Sequence, residues 1–365
     1  MRFTFRAGGL SALSLLAIAA PASARVTDAV VAPAANGQLA VSWSLPGAVD
    51  VYASTQPNAD LAAARLVSAD DRDGRAMLPA DPVKRTYVYL KDRTDGTVTE
   101  VAQRLVPLQQ GSNFRDIGGY AAAGGKHVRW GLIYRSGASA MLTPADLDRV
   151  KALGLRNLVD LRSDEERVLA PTKIDGVHYS AVGYSMAALM SHLGTGATQA
   201  AGAKVSVPQN GVAIYHSLPE MLVPQMRILF RILAKGATPV EYNCSAGQDR
   251  TGFATAMILS ALGVPRDVIY RDYLLSTQYR QPRYEMPHID PARYPDNRVA
   301  QFFAHFQDNP AYATPQPLKE ADGTPFLKGA FDAIDAKWGS VDNYLMKAVG
   351  LSDQDLARIR AAYLQ

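Results

Sequence analysis

A single cysteine, Cys244, stands six residues before Arg250 in the segment Asn243-Cys244-Ser245-Ala246-Gly247-Gln248-Asp249-Arg250-Thr251-Gly252. The residues before it, Pro239 to Tyr242, read as a short buried strand. Those after it, from about Arg250 to Leu262, read as an apolar helix stopped by Gly263 and Pro265. A loop between the C-terminal end of a strand and a helix N-terminus holds unpaired N–H groups that converge on one point. The helix dipole adds partial positive charge there, so the loop is suited to a dianion. Gly247 permits tight curvature, and the Arg250 guanidinium can return to bind two phosphate oxygens. The same field favours a thiolate at Cys244. Ser245, Ala246, Gly247, Gln248 and Thr251 are thus the candidate phosphate-binding positions, with Cys244 as nucleophile. Attack by sulfur on phosphorus would form a phosphocysteine and release an alcohol or phenol. Asp249 is the nearest acid to protonate the leaving oxygen and the base for the water that follows. Thr251 can donate a hydrogen bond to the departing thiolate. No metal and no cofactor is needed.

Several elements must hold this loop. Thr143-Pro144-Ala145-Asp146 is a capping box with proline at the first helical position, opening a helix that runs to about Leu153, with Gly154 after it. Asn157 to Leu161 reads as a buried strand, and Met221 to Ala234 as a helix ended by Gly236. Helices alternating with short strands argue for a central, mainly parallel sheet flanked by helices. Residues 26–108 differ. Gln38 to Ser44 alternates, Val49 to Ala53 is short and extended, and Arg85 to Leu90 puts Tyr87 and Tyr89 on one face and Val88 and Leu90 on the other. Asp95-Gly96 separates that segment from Thr97 to Leu105, a hairpin signal. This spacing predicts a small all-β sandwich, fibronectin-III-like in pattern, with Trp43 in its core.

Met1 to Ala24 has Arg2 and Arg6, an apolar run and Ala22-Ser23-Ala24, which reads as a signal peptide, with an uncleaved anchor as the alternative. The expected division is 1–24 signal peptide, 26–108 β module and 109–365 catalytic domain, with export to the periplasm or beyond. No later stretch is apolar enough to span a membrane. The chain has 365 residues, 48% of them hydrophobic, and a net charge of +4, which excludes a disordered or disulfide-stapled protein. Its charges form no concentrated patch, so nucleic acid is not an expected partner. The six histidines show no metal-binding spacing.

From residue 111 onward the sequence resembles the bacterial secreted tyrosine-phosphatase-like family within the cysteine-dependent phosphatases. The matching blocks are Asn113-Phe114-Arg115-Asp116-Ile117-Gly118-Gly119, Tyr134-Arg135-Ser136-Gly137, Asp160-Leu161-Arg162-Ser163, the Cys244 to Gly252 loop, Asp272-Tyr273-Leu274-Leu275, and Gly339 to Leu345. The resemblance implies a phosphocysteine mechanism with Cys244 as nucleophile, Arg250 as phosphate clamp and Asp249 as general acid, without a separate acid loop. Its substrates are phosphotyrosine proteins, with dual specificity as an extension, or phosphoinositides and inositol phosphates. A non-catalytic phospho-ligand binder is the alternative from another class. Two positions depart from the pattern. Asn243 replaces a common histidine, and Gln248 stands where lipid-active members carry lysine, which weakens the lipid reading.

Arg115 and Asp116 are expected either to orient the loop or to pair with each other. Arg135 and Asp160, at predicted strand ends, are expected to support the site from behind, as is Asn243. Asp164-Glu165-Glu166-Arg167 reads as a solvated helix start. Residues 276–315, rich in Tyr, Arg and Pro, read as a cover over the site.

Overall fold

The computed structural model describes residues 26–45, 47–185 and 211–365. The signal-peptide reading at 1–24 lies outside the described residues. Among the first seven strands, alternation is clearest in the second, third and fifth. Strand β2 (Gln38–Ser44) turns Leu39, Val41 and Trp43 inward, and Trp43 is a core residue as expected. It pairs antiparallel with β1 (Thr27–Ala34) and β5 (Arg75–Pro79). A second antiparallel sheet has the order β4 (Arg65–Asp71), β3 (Val49–Ser54), β6 (Tyr87–Asp92), β7 (Val98–Ala102). Asp95-Gly96 makes the β6–β7 turn, with Gly96 at φ 75°. Val41 and Leu78 of one sheet meet Val51, Val88 and Leu90 of the other in one core.

Strand β6 is buried on both faces, although an ordinary sandwich strand alternates. The reason is the rest of the chain. Trp130 joins the sandwich core and its Nε1 donates to the Glu100 carbonyl at 3.0 Å. Arg85 runs under three rings, Tyr87, Trp130 and Tyr134, with its guanidinium carbon 5.1, 5.5 and 5.6 Å from their centroids. Its Nη1 donates to the Asp116 carboxylate and its Nη2 to the Gln103 carbonyl at 2.6 Å.

The remaining strands form a five-stranded sheet ordered β11 (His178–Ala181), β10 (Asn157–Asp160), β12 (Val240–Asn243), β9 (Ile133–Ser136), β8 (Arg115–Asp116). Its first three pairings are parallel and β8 is antiparallel, so the mainly parallel sheet expected from the αβ alternation is present. Register aligns Asp160 and Ser136 with Asn243, so three strands end together beside Cys244. That carboxyl edge is where open α/β sheets place their ligands.

Helix α1 (Pro144–Lys151) carries the capping box at Thr143 and Asp146, and Gly154 follows at φ 66°. Helices α2 (Asp164–Leu169) and α3 (Gly211–Tyr215) are short. Helix α4 (Val223–Ala234) buries Met226, Leu229, Phe230 and Leu233 in the main core. Helix α5 (Asp249–Ala261) is buried nearly all round, as its weak polar patterning requires. Next come α6 (Arg266–Leu274), α7 (Arg298–Phe306) and α8 (Lys328–Trp338). No described helix is long and apolar enough to cross a membrane.

Candidate active site

Strand β12 delivers Cys244 to the sheet edge, and α5 begins at Asp249. Cys244 is 1% exposed, at the floor of the loop. Arg250, Arg135, Tyr184 and Arg280 lie within electrostatic reach of Cys244, so the sequence-predicted cation and nucleophile are neighbours. Among the described residues, none accepts a main-chain hydrogen bond from the amides of Ser245, Ala246, Gly247 or Gln248. These are the amides at which the sequence reading places a phosphate cradle. Gly247 sits at φ 62°, and a Cβ there would lie 2.5 Å from the Ser136 carbonyl, so only glycine fits.

The loop is fastened from outside through its carbonyls. Asn113 Nδ2 donates to Gly247 O at 2.7 Å and Arg135 Nη2 donates to the same oxygen at 2.8 Å. Arg115 holds Asn113 through the Asn113 carboxamide oxygen. Both arginines are anchored on Asp272, by Arg115 Nε at 3.2 Å and Arg135 Nη1 at 2.8 Å. Burial pushes against ionisation of Asp272, but Arg115 and Arg135 outweigh it and hold the carboxyl below the usual carboxylate range. Arg115 and Arg135 thus support the loop from behind.

Three expectations need correction. Arg115 and Asp116 do not pair with each other, and Asp116 does not reach the loop. Neighbours in a strand face opposite ways, and the Asp116 carboxylate accepts Gly118 N and Gly131 N, each at 2.7 Å, together with Arg85. Asp160 is taken up by Arg162, at 2.9 and 2.6 Å, and by the Tyr179 hydroxyl at 2.9 Å, so its side chain braces the fold. Glu166 is not solvated. It is 2% exposed and accepts from Arg250 Nη1 at 2.6 Å, Arg250 Nη2 at 2.7 Å and Ser245 Oγ at 2.6 Å. Its carboxyl is held at about 2: burial opposes ionisation, and the Arg250 charge and these bonds overcome it. The sequence signal lay in the Ser163–Glu166 spacing, a capping box that is indeed formed and that aims Glu166 inward.

This pairing orients Arg250. Nη1 also donates to Tyr184 Oη at 2.7 Å. Among the described residues three of the five guanidinium donors are then engaged, leaving Nε–H and one Nη2–H, the side-on edge of the fork. That edge matches two oxygens of a phosphoryl group.

Asp249 Oδ1 accepts from the Tyr215 hydroxyl and from Gln248 Nε2 at 3.2 Å. Tyr215 in turn accepts from Tyr273 Oη at 2.7 Å. Arg280 donates to Gln248 Oε1 and is paired with Glu285 at 2.8 and 2.7 Å. Thr251 Oγ1 and Asn243 Oδ1 are buried without a partner among the described residues. The region read as a cover starts against the site: Tyr279 O accepts from Asn113 N at 2.9 Å. Farther along, Ile289, Val299 and Ala300 pack on Leu169 of α2. No group of three or more His, Cys, Asp or Glu among the described residues is placed to hold a metal.

Glu241, two residues before Asn243, is fully buried. Ser136 Oγ has one hydrogen but faces two acceptors, Gly137 O at 2.6 Å and Glu241 Oε1 at 2.7 Å. A neutral Glu241 that donates to Ser136 resolves this. Burial accordingly raises its pKa from 4.5 to about 8. The native state keeps a proton that the unfolded chain releases above pH 4.5, so this group's effect is to reduce stability as pH rises, fully by about pH 8. Glu241→Gln should therefore match wild type near pH 4.5 and exceed it at pH 9 by roughly 2–4 kcal/mol. Urea unfolding at both pH values measures this; a stability gap independent of pH would count against it.

Residues 106–365 match the tyrosine phosphatase family. A Cupriavidus necator protein named as a tyrosine-protein phosphatase is 36% identical over 259 residues, covering 69% of this chain and 86% of that protein. The triple specificity protein phosphatase PtpB of Mycobacterium tuberculosis is 28% identical over 281 residues, covering 69% of this chain and 96% of that protein. The solved catalytic core of Siw14 overlays with a TM-score of 0.26 at 15% identity, over 57% of this chain and 91% of that one, too loosely to bear on function.

Proposed function

Because this chain belongs to the tyrosine phosphatase family, a set of protein-tyrosine-phosphatase-type hydrolases, we propose that it cleaves phosphotyrosine monoesters through a phosphocysteine at Cys244 without a metal. What supports this reading is one short loop that carries Cys244, amides with no main-chain acceptor among the described residues, and an Arg250 whose Nε–H and second Nη2–H are left open by the Glu166 and Tyr184 contacts. A phosphoryl group bound there has its oxygens held by the amides and by Arg250. The sulfur attacks phosphorus, the P–S bond forms, and the P–O bond to the leaving group breaks. Asp249 gives its proton to the departing oxygen. Water then attacks the phosphocysteine, loses a proton to Asp249, and releases phosphate and the cysteine thiolate. Electrostatic stabilisation of the transferring group by prearranged donors is the main catalytic term.

Dual specificity is an extension of this reading, and phosphoinositide hydrolysis is the second one. The 28% identity to a phosphatase named for triple specificity favours a substrate range wider than phosphotyrosine, and Gln248, which brings no charge to the loop, opposes the phosphoinositide reading. The reading also includes export, supported by the basic and apolar pattern of Met1 to Ala24. A panel of phosphotyrosine peptide, phosphoserine peptide and phosphoinositide vesicles, assayed with EDTA, is the test. Activity should be highest on the phosphotyrosine peptide, survive the chelator and be lost after alkylation by iodoacetate. Activity that needs a divalent ion or outlasts alkylation would refute the reaction class. Preferred hydrolysis of the vesicles would replace the first substrate reading by the second.

A further inference from the structure

The two oxygens of Asp249 are not equivalent. Oδ1 accepts from the Tyr215 hydroxyl and from Gln248 Nε2 at 3.2 Å, whereas no described residue donates to Oδ2. Tyr215 comes from α3, far from the loop in sequence, and is itself held by Tyr273 of α6, whose hydroxyl donates to Tyr215 Oη at 2.7 Å. The two rings stack edge to face with centroids 5.8 Å apart. Gly252, one turn into α5, admits this arrangement, because a Cβ there would lie 2.9 Å from the Tyr273 ring.

We propose that Tyr215, backed by Tyr273, is a positioning residue that reserves Asp249 Oδ1 as a hydrogen-bond acceptor and leaves Oδ2 to carry the proton exchanged with the leaving group and with water. The inference rests on the acid role given to Asp249 above. A carboxyl whose one oxygen is capped by two donors cannot place its proton there without losing a hydrogen bond. The proton therefore resides on Oδ2. In the first step it moves from Oδ2 to the leaving oxygen as the P–O bond breaks and the P–S bond forms. In the second, a proton of the attacking water returns to Oδ2 as P–S breaks. Neither tyrosine ionises in either step. Burial, followed by the neighbouring Asp249 charge, raises the pKa of Tyr215 well above its ordinary value, and burial does the same for Tyr273. Both remain donors across the working range. Among the described residues, the titratable and charged groups that feel the Asp249 charge are these two phenols and Arg280.

The test is the pH dependence and leaving-group dependence of kcat/KM over a series of aryl phosphates, from phenyl to 4-nitrophenyl, for wild type, Tyr215→Phe, Tyr273→Phe and Asp249→Asn. In Tyr215→Phe the carboxylate form loses a donor. The alkaline limb should move up by roughly half to one pH unit. Phenyl phosphate should lose about tenfold, and 4-nitrophenyl phosphate less than about threefold. Tyr273→Phe, which removes only the donor to Tyr215 and not the Tyr215–Asp249 bond, should shift the limb the same way by less. If Asp249→Asn steepens the leaving-group dependence while both tyrosine variants keep the wild-type limb and slope, the positioning role is refuted and the acid role stands. If Asp249→Asn leaves the slope unchanged, the acid role itself fails and the proposal with it. A tyrosine variant that loses equal activity on every leaving group, with the limb in place, marks a purely structural role and refutes the proposal.

Discussion

Replacement of Cys244 by Ser should lower kcat by on the order of 10⁴-fold or more on any aryl phosphate, because a hydroxyl at this site is a far weaker nucleophile than a thiolate. The cradle should survive the change. Among the described residues Cys244 has no side-chain hydrogen bond that positions the loop; Asn113, Arg135 and the Gly247 conformation do that. Binding of inorganic phosphate, measured by calorimetry, should therefore stay within about threefold of wild type. The pairing of the two results is what discriminates. Lost turnover with retained binding isolates the sulfur as the reacting atom. Retained turnover would show that phosphorus is attacked by something else.

The second large effect lies away from the loop. Arg85→Met should destabilise the whole chain by roughly 3–5 kcal/mol, because it leaves the enclosed Asp116 carboxylate, still bonded to the Gly118 and Gly131 amides, without its counter-ion. In a thermal melt this is a fall of about 10 °C. Methionine keeps much of the arginine's contact with Tyr87, Trp130 and Tyr134, so the loss reports the charge more than the volume. Adding Asp116→Asn should recover part of it, since an amide is less costly to bury than an unpaired carboxylate. A melt unchanged by Arg85→Met would mean that the ion pair contributes nothing beyond what burial costs it.

What the sequence disclosed follows the range of the forces involved. The loop was legible because every residue acting in it lies within nine positions and each type has a local reason: Gly247 for its φ, Arg250 for its fork, the helix start for its amides. The capping boxes and the Asp95-Gly96 turn were legible for the same reason. Glu166 was misread because an acid at a helix start is usually solvated, and only the approach of Arg250 from 84 residues away makes it a buried partner. Tyr215 left no signal, since one tyrosine on a five-residue helix looks like any core aromatic until Asp249 is set beside it. Asp116 was assigned to the wrong neighbour because strand direction decides which way a side chain faces, and two residues of strand are too few to show a period.

Trp130 is joined covalently to the sheet that carries the nucleophile, yet its indole completes the interior of the sandwich. Any recombination that carried off the catalytic segment by itself would bring along an orphaned indole, and the portion left behind would have a hole in its middle. The piece that folds is thus larger than the stretch bearing the recognisable motifs, because a side chain from one region fills the interior of the other.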